Sequence, residues 1–265
     1  MARNLKNIAR LIDVANEKTS IEEAFLSDLK RSIELTAQKE SRKPSQTYKP
    51  SSMNCIRCMY YQVMGEDAIE DKPNFTNVGI CASGSDIHER IQQAVIDMKS
   101  NGMDCEYINV ADYVRSRELE DIDIVQEPDF ENGKYETKLY NKKYNMSFLC
   151  DGIIKYRGKY YILELKTEAS FKWQPRANVD PKHHNQGISY SLNLGLDDVI
   201  FVYINRDVLD MKAFMFKVNE HMRKEIVDKI TDCNGYVERQ IPPPKPDIDA
   251  RVCRYCNYKH RCDAE

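Results

Sequence analysis

Apolar positions follow a helical period at both ends of this chain and a strand-like pattern in its middle. Leu5, Ile8, Ala9, Leu11 and Ile12 recur at helical spacing, and Ile21, Ala24, Phe25, Leu29 and Ile33 do so again. That spacing predicts two helices before residue 40. The polar stretch QKESRKPSQTYKPSS (38–52) reads as a linker. CIRCMYYQVMG (55–65) predicts a short helix stopped by Gly65. SGSDIHERIQQAVIDMKSNG (83–102) opens on Ser and Asp, carries Ile87, Ile91, Ala94, Val95 and Met98 along one face, and stops at Gly102. It predicts a helix with both ends marked.

The middle of the chain changes period. KYETKLY (134–140) alternates, and MSFLCDGIIKY (146–156), GKYYILELKT (158–167), DVIFVYIN (198–205) and MKAFMFKV (211–218) are rich in β-branched and aromatic residues. These predict strands, with a hairpin at YRGKY. PKHHNQGISYSLNLG (181–195) and NEHMRKEIVDKITDCNGYVERQ (219–240) predict helices, and IPPPKPD (241–247) breaks regular structure. The order implies an α/β fold with a mixed central β-sheet flanked by helices. It adds an N-terminal helical extension over residues 1–45 to a domain over 46–265 that includes a cysteine tail at 241–265.

Composition narrows the function classes. The 265 residues carry 39 Lys and Arg against 42 Asp and Glu, a net charge of −3. Any nucleic-acid surface must therefore be a local patch. No apolar run approaches a membrane span, and Met1-Ala-Arg-Asn-Leu-Lys is too polar for a signal peptide, so a cytoplasmic, non-membrane protein is expected. In a reducing compartment, nine cysteines point to metal or cluster ligation rather than disulfides.

The stretch CDGIIKYRGKYYILELKT concentrates the chemistry. Residues i and i+2 of a strand share a face, so Glu164 and Lys166 project together while Leu163 and Leu165 face the core. A hairpin at Arg157-Gly158 places Asp151 on the neighbouring strand. Two carboxylates and an ammonium then converge, a set suited to phosphodiester hydrolysis with Mg2+ or Mn2+. On spacing alone the pattern equally fits a solvated Glu–Lys pair. Glu127 and Asp129 lie ahead of the sheet with no spacing that makes either a ligand, and His183 and His184 read as solvated helix-start residues.

In their order, Asp-Gly, hairpin and ILELKT resemble the PD-(D/E)XK nuclease superfamily, and within it the RecB-like branch. His88 in GSDIHERIQ, and Gln186 with Tyr190 in HHNQGISY, match further elements of that branch. The resemblance implies a restriction-endonuclease-like core. It implies that His88, Asp151, Glu164 and the Leu165 carbonyl hold the metal ion. Lys166 would be the catalytic lysine, with Gln186 and Tyr190 orienting the substrate and the site.

Cys253-x2-Cys256-x5-Cys262 supplies three thiolates, and a four-coordinate site needs one more. His260 would complete a Cys3His zinc site, and Cys55 or Cys58 would complete an all-sulfur one. RecB-like nucleases with an iron–sulfur cluster, including the CRISPR-associated RecB-like exonucleases and AddB, are similar in layout: one cysteine before the core and three after it. That resemblance implies a [4Fe–4S] cluster on Cys55, Cys253, Cys256 and Cys262, with Zn2+ as the alternative and Cys58 a turn away from Cys55. Cys81, Cys105, Cys150 and Cys233 read as buried small apolar residues.

Lys172, Arg176, Lys182, Arg251, Arg254, Lys259 and Arg261 are interleaved with Phe171, Trp173, Tyr255 and Tyr258. This mix suits single-stranded DNA. The segment 168–184 is expected to border the site and to gate or grip a strand. The function expected is a metal-dependent DNA exonuclease in recombination, replication or repair, phage-encoded or CRISPR-linked. It would act on single strands or free ends, with a possible homo-oligomer. The sequence has no G-x-x-x-x-G-K-[ST] loop, so unwinding would fall to a partner helicase. The alternative is an inactive, zinc-stapled adaptor on the same fold.

Overall fold

The computed structural model describes residues 21–39, 45–66, 68, 74–245, 253 and 256–264. The first of the two expected N-terminal helices, the basic residues Arg251 and Arg254, and Tyr255 lie outside the described residues. The chain forms two compact units, residues 1–42 with 71–80, and residues 43–70 with 81–265. In the first, helix α1 (Ile21–Lys39) exposes Ile21, Phe25, Leu26 and Leu29. The Phe75 N–H donates to Glu34 Oε1 at 2.8 Å, and Lys30 Nζ sits 5.8 Å from the Phe75 ring centroid.

The second unit holds the sheet. In chain order its elements are α2 (Ile56–Met64), α3 (Phe75–Asp97, of which residues 81–97 belong here), β1 (Cys105–Ile108) and α4 (Val110–Ser116). Then come β2 (Ile122–Gln126), β3 (Thr137–Asn141), β4 (Met146–Cys150), β5 (Gly152–Tyr156) and β6 (Lys159–Glu168). They are followed by α5 (Ser170–Trp173), α6 (Pro181–Leu194), β7 (Asp198–Asn205), β8 (Met211–Lys217), α7 (Glu220–Arg239) and α8 (Lys259–Ala264). A five-stranded sheet runs β1-β5-β6-β7-β8, and a three-stranded sheet runs β2-β3-β4. The β6–β7 pair is parallel and the other pairs are antiparallel, so the central sheet is mixed, as expected.

The β5–β6 hairpin turns at Arg157 (φ 49°) and Gly158 (φ 81°). Two consecutive left-handed residues match the twist of the flanking strands. Both faces of β6 are covered. Leu163 and Leu165 pack with Ile87, Ile91 and Val95 of α3 and Met98 just after it on one side. On the other, Ile162, Val199 and Phe201 pack with Ile188 and Leu194 of α6 and Ile226 and Ile230 of α7. α6 begins under an Asp180 N-cap with Pro181 in its first turn and ends at Gly195 (φ 68°).

Three readings change. The expected single strand 146–156 breaks at Asp151: β4 belongs to the small sheet and β5 to the large one. At the break the Asp151 carbonyl accepts from Gln92 Nε2 at 2.7 Å. Helix α3 starts eight residues earlier than Ser83, at Phe75. Cys81 is exposed rather than buried, whereas Cys105, Cys150 and Cys233 are buried as expected. The strands β1 and β2 and the helix α4 between them are too short for periodicity to mark. Among the described residues no helix is long and apolar enough to cross a membrane.

Candidate active site

Asp151 sits where the chain leaves one sheet for the other. Its Oδ2 accepts the Leu165 N–H at 2.7 Å, which ties it to β6 just past the end of β5. Gln92 and His88 stand one turn apart on α3 and both reach it: Gln92 Nε2 donates to the Asp151 carbonyl, and His88 Nδ1 lies 3.8 Å from Asp151 Oδ1. Glu164 is 2% exposed. A solvated Glu–Lys pair is therefore excluded for this strand face. Lys166 Nζ donates to Glu164 Oε1 at 2.5 Å and to Gln186 Oε1 at 2.9 Å. Gln186 Nε2 donates to Glu164 Oε1 at 2.6 Å and to the Tyr190 hydroxyl at 2.8 Å. The Tyr190 hydroxyl in turn donates to the Leu149 carbonyl at 2.7 Å. All the expected side chains, His88, Asp151, Glu164, Lys166, Gln186 and Tyr190, fall in one connected region.

One further residue belongs to it. Ligand atoms of His88, Glu136 and Asp151 lie within 4.8 Å of one another, close enough to share a metal ion. Glu136 was not expected. Its position has a simple origin: Thr137 pairs with Cys150 in the β3–β4 ladder, so one step further the register sets Glu136 opposite Asp151. Tyr135 beside it is buried, and its hydroxyl donates to Gln93 Oε1 on α3 at 2.7 Å. The signal in the sequence was the register of that hairpin, not any spacing to the Glu-x-Lys.

The electrostatics are those of crowded carboxylates. Burial raises the Asp151 carboxyl to about 7, with Lys166 and the Leu165 N–H opposing and Glu136 adding. Burial raises Glu164 to about 8, with the Asp151 charge adding to it. Burial alone would lower Lys166, but Glu164 and Asp151 outweigh it and raise its pKa. Burial lowers His88, which keeps the imidazole neutral and able to donate a lone pair. Glu164 Oε2 is buried with no hydrogen-bond partner among the described residues. An orphaned buried carboxylate oxygen is costly unless a cation or a proton meets it. The donors present, carboxylates and one imidazole, fit a divalent cation.

The cysteines form a second cluster. The thiols of Cys55 and Cys58, at the start of α2, act electrostatically on those of Cys253, Cys256 and Cys262. The Cys58 thiol donates to Cys256, which drives the Cys58 pKa up and brings Cys256 down to about 6. Tyr258 packs on Tyr61 with ring centroids 5.8 Å apart, and Arg261 pairs with Glu66 at 2.5 Å. The structure thus places the four expected cysteines and Cys58 near enough to influence one another electrostatically, but among the described residues their thiols do not come close enough together to form a group that could share a metal ion, as His88, Glu136 and Asp151 do. His260 Nδ1 is buried with no partner among the described residues.

Not every expected contact surface is free. Arg176 is held in an internal ion pair with Glu168, and Lys212 Nζ binds the carbonyls of Trp173, Gln174 and Arg176. His183 and His184 are half-buried rather than fully solvated, each stacking one ring face, on Tyr203 and Phe216 respectively. The segment after β6 is therefore anchored at Arg176 and through Lys212, while Phe171 stays exposed.

Comparison with known proteins finds no matching family model and no matching curated protein. Among solved structures, the crystal structure of SSO0001 aligns with TM-score 0.47 and 17% identity, over 90% of this chain and 96% of that one. The alkaline exonuclease LHK-Exo from Laribacter hongkongensis aligns with TM-score 0.44 and 12% identity, over 83% and 95%. The same exonuclease in complex with dAMP gives TM-score 0.45 and 11% identity, over 74% and 89%. These likenesses are remote.

Proposed function

We propose that this chain is a metal-dependent nuclease that hydrolyses DNA phosphodiesters. The observation that carries this is the buried Glu164, with one oxygen tied to Lys166 and Gln186 and the other without a partner among the described residues. His88, Glu136, Asp151 and Glu164 would hold Mg2+ or Mn2+. The Leu165 N–H points at Asp151, and in an extended strand the carbonyl of the same residue faces the same side, so it completes the set. When bound, the cation neutralises phosphate charge and makes water easier to deprotonate. Lys166 keeps its proton and sits where an ammonium meets the developing negative charge or orients the attacking water. Gln186 fixes the direction of Lys166, and Tyr190 fixes Gln186.

The finer reading is an exonuclease acting on single strands or DNA ends, with residues 46–265 as the nuclease domain and 1–45 as an extension for a partner or a second copy. The thiolate-rich set of Cys55, Cys253, Cys256 and Cys262 suits a [4Fe–4S] cluster, or zinc, which would draw these sulfurs together as a clasp between α2 and the chain after α7. Incubating the protein with Mn2+ and end-labelled linear or circular DNA tests the reading. Degradation by the parent that is lost in Glu164→Ala supports it. An inactive parent, or a variant that still degrades DNA, rules it out. Degradation of circular as well as linear DNA would remove the exonuclease assignment alone.

A further inference from the structure

Glu164, Lys166 and Glu168 occupy alternate positions of β6 and therefore share one face. The first two meet Gln186 of α6. The third is engaged elsewhere. Glu168 is 6% exposed and accepts two hydrogen bonds from one guanidinium, Arg176 Nε to Oε2 at 2.6 Å and Nη2 to Oε1 at 2.5 Å. Arg176 Nη2 also donates to Asp180 Oδ2 at 3.1 Å, Nη1 donates to the Asn178 carbonyl at 3.3 Å, and the guanidinium lies 4.3 Å from the Tyr203 ring centroid. Asp180 is the N-cap of α6, where its Oδ1 accepts the Lys182 N–H. Its own N–H donates to the Tyr203 hydroxyl at 3.0 Å. Tyr203 is the β7 residue paired with Lys166. Its hydroxyl also lies 2.8 Å from His183 Nδ1, a ring that burial keeps neutral.

Helix α6 is thus fixed to β6 at two points. One is the Glu168–Arg176–Asp180 bridge at its first turn, and the other is Gln186 six residues on, roughly 9 Å along the axis. Two anchors on β6 fix the angle at which α6 crosses the strand, while Asn185 on the Met53 carbonyl and Tyr190 on the Leu149 carbonyl hold the middle of the helix. We propose that Arg176 is a positioning residue for the nuclease reaction: by locking the start of α6 to Glu168, it sets the crossing angle that aims Gln186 at Glu164 and Lys166. This rests on the nuclease reading above. A planar fork serves this role better than a lysine would, because it reaches both Glu168 oxygens and Asp180 at once.

The test is a kinetic cycle with Arg176→Met, Gln186→Ala and the double variant, assayed with Mn2+ and DNA. If the lock acts through Gln186, each single variant lowers kcat roughly 10- to 100-fold. KM for DNA and Mn2+ affinity stay within about twofold, and the double variant is no slower than the slower single one. Losses that multiply in the double variant, or parent-like kcat in Arg176→Met, overturn the proposal. Arg176→Met leaves Glu168 buried and unpaired and stands to unfold the protein. In that event Arg176→Lys, which keeps the charge and loses the fork, takes its place in the same cycle, and full kcat in Arg176→Lys would be fatal to the idea. A parent that neither hydrolyses DNA nor binds Mn2+ removes the nuclease reading instead. The lock is then judged by trace acetylation of Lys166. Equal acceleration in Arg176→Lys and Gln186→Ala sustains it, and an unchanged rate in Arg176→Lys overturns it.

Discussion

The two candidate centres of this molecule are built in opposite ways. The carboxylate centre lies on a sheet, and its key groups, Asp151, Glu164 and Lys166, come from a single hairpin. The cysteine centre draws on Cys55 and Cys58 at α2 and on sulfurs about 200 residues later, after strands β1 to β8. The first is tied by hydrogen bonds on nearly every side: Leu165 N–H to Asp151, Lys166 and Gln186 to Glu164, Tyr190 to the Leu149 carbonyl. The second is held by packing of Tyr258 on Tyr61 and the Arg261–Glu66 pair, while its thiols lean on one another. Hard oxygen donors in a rigid frame suit a cation that is exchanged with substrate. Soft sulfurs at a chain closure suit a centre that stays put and fastens the fold.

The comparison breaks first at Lys166. Lys166→Met should lower kcat roughly 10^3-fold, within the range for a proton-handling or charge-stabilising side chain, while Mn2+ affinity changes little. Single-turnover hydrolysis and Mn2+ titration measure the two separately, and parent-like kcat would remove the lysine from the chemistry.

Serine substitutions act on the other centre. With the proposed cluster or zinc in place, Cys256→Ser should release it and lower stability by several kcal/mol, because a closed long loop reopens. Metal content and thermal unfolding read this out, and iron against zinc decides the kind of centre. Cys55→Ser should behave likewise, whereas Cys58→Ser should keep the metal. The reverse result would make Cys58 the fourth ligand.

Glu136 sharpens the contrast at a single position. Glu136→Gln should weaken Mn2+ binding about 10- to 100-fold with the fold intact, as loss of one ligand or its neighbour does. Unchanged affinity by calorimetry would return Glu136 to an ordinary place beside β3.

The smallest effect is on pH dependence. Asp151 and Glu164 are raised to about 7 and about 8 in the fold, above their unfolded values. Without cation, their contribution to stability is therefore full below the ordinary carboxylate range and is lost as pH climbs through 7 and 8. Mn2+ favours the ionised forms, so it should restore stability most at pH 8 and bind more tightly there than at pH 6. Thermal unfolding at both pH values, with and without Mn2+, checks the sign. Asp151→Asn should flatten part of the dependence.

Much of the site was legible because strand geometry is local. Period two aligned Glu164 with Lys166, and the Arg157-Gly158 turn carried Asp151 to the same end of β6. Gln186 and Tyr190 were legible through the resemblance, and their one-turn spacing then proved to be a hydrogen bond. Glu136 was not legible, because its place depends on the register of a separate hairpin in the smaller sheet. Arg176 was misread as a surface cation. Nothing in its neighbours in sequence announces that Glu168, Asp180 and Tyr203 converge on it.

By itself the sequence determined the α/β class, the hairpin with its carboxylate–lysine set, and the three close-spaced cysteines, since each depends on residues only a few positions apart. Tertiary structure alone decided that Glu164 is buried, that Glu136 joins His88 and Asp151, and that α6 is locked at both Glu168 and Gln186. The physical reason is range. Backbone periodicity and turn chemistry act over a few residues, whereas burial and the pairing of distant charges exist only once sheets and helices have closed on one another.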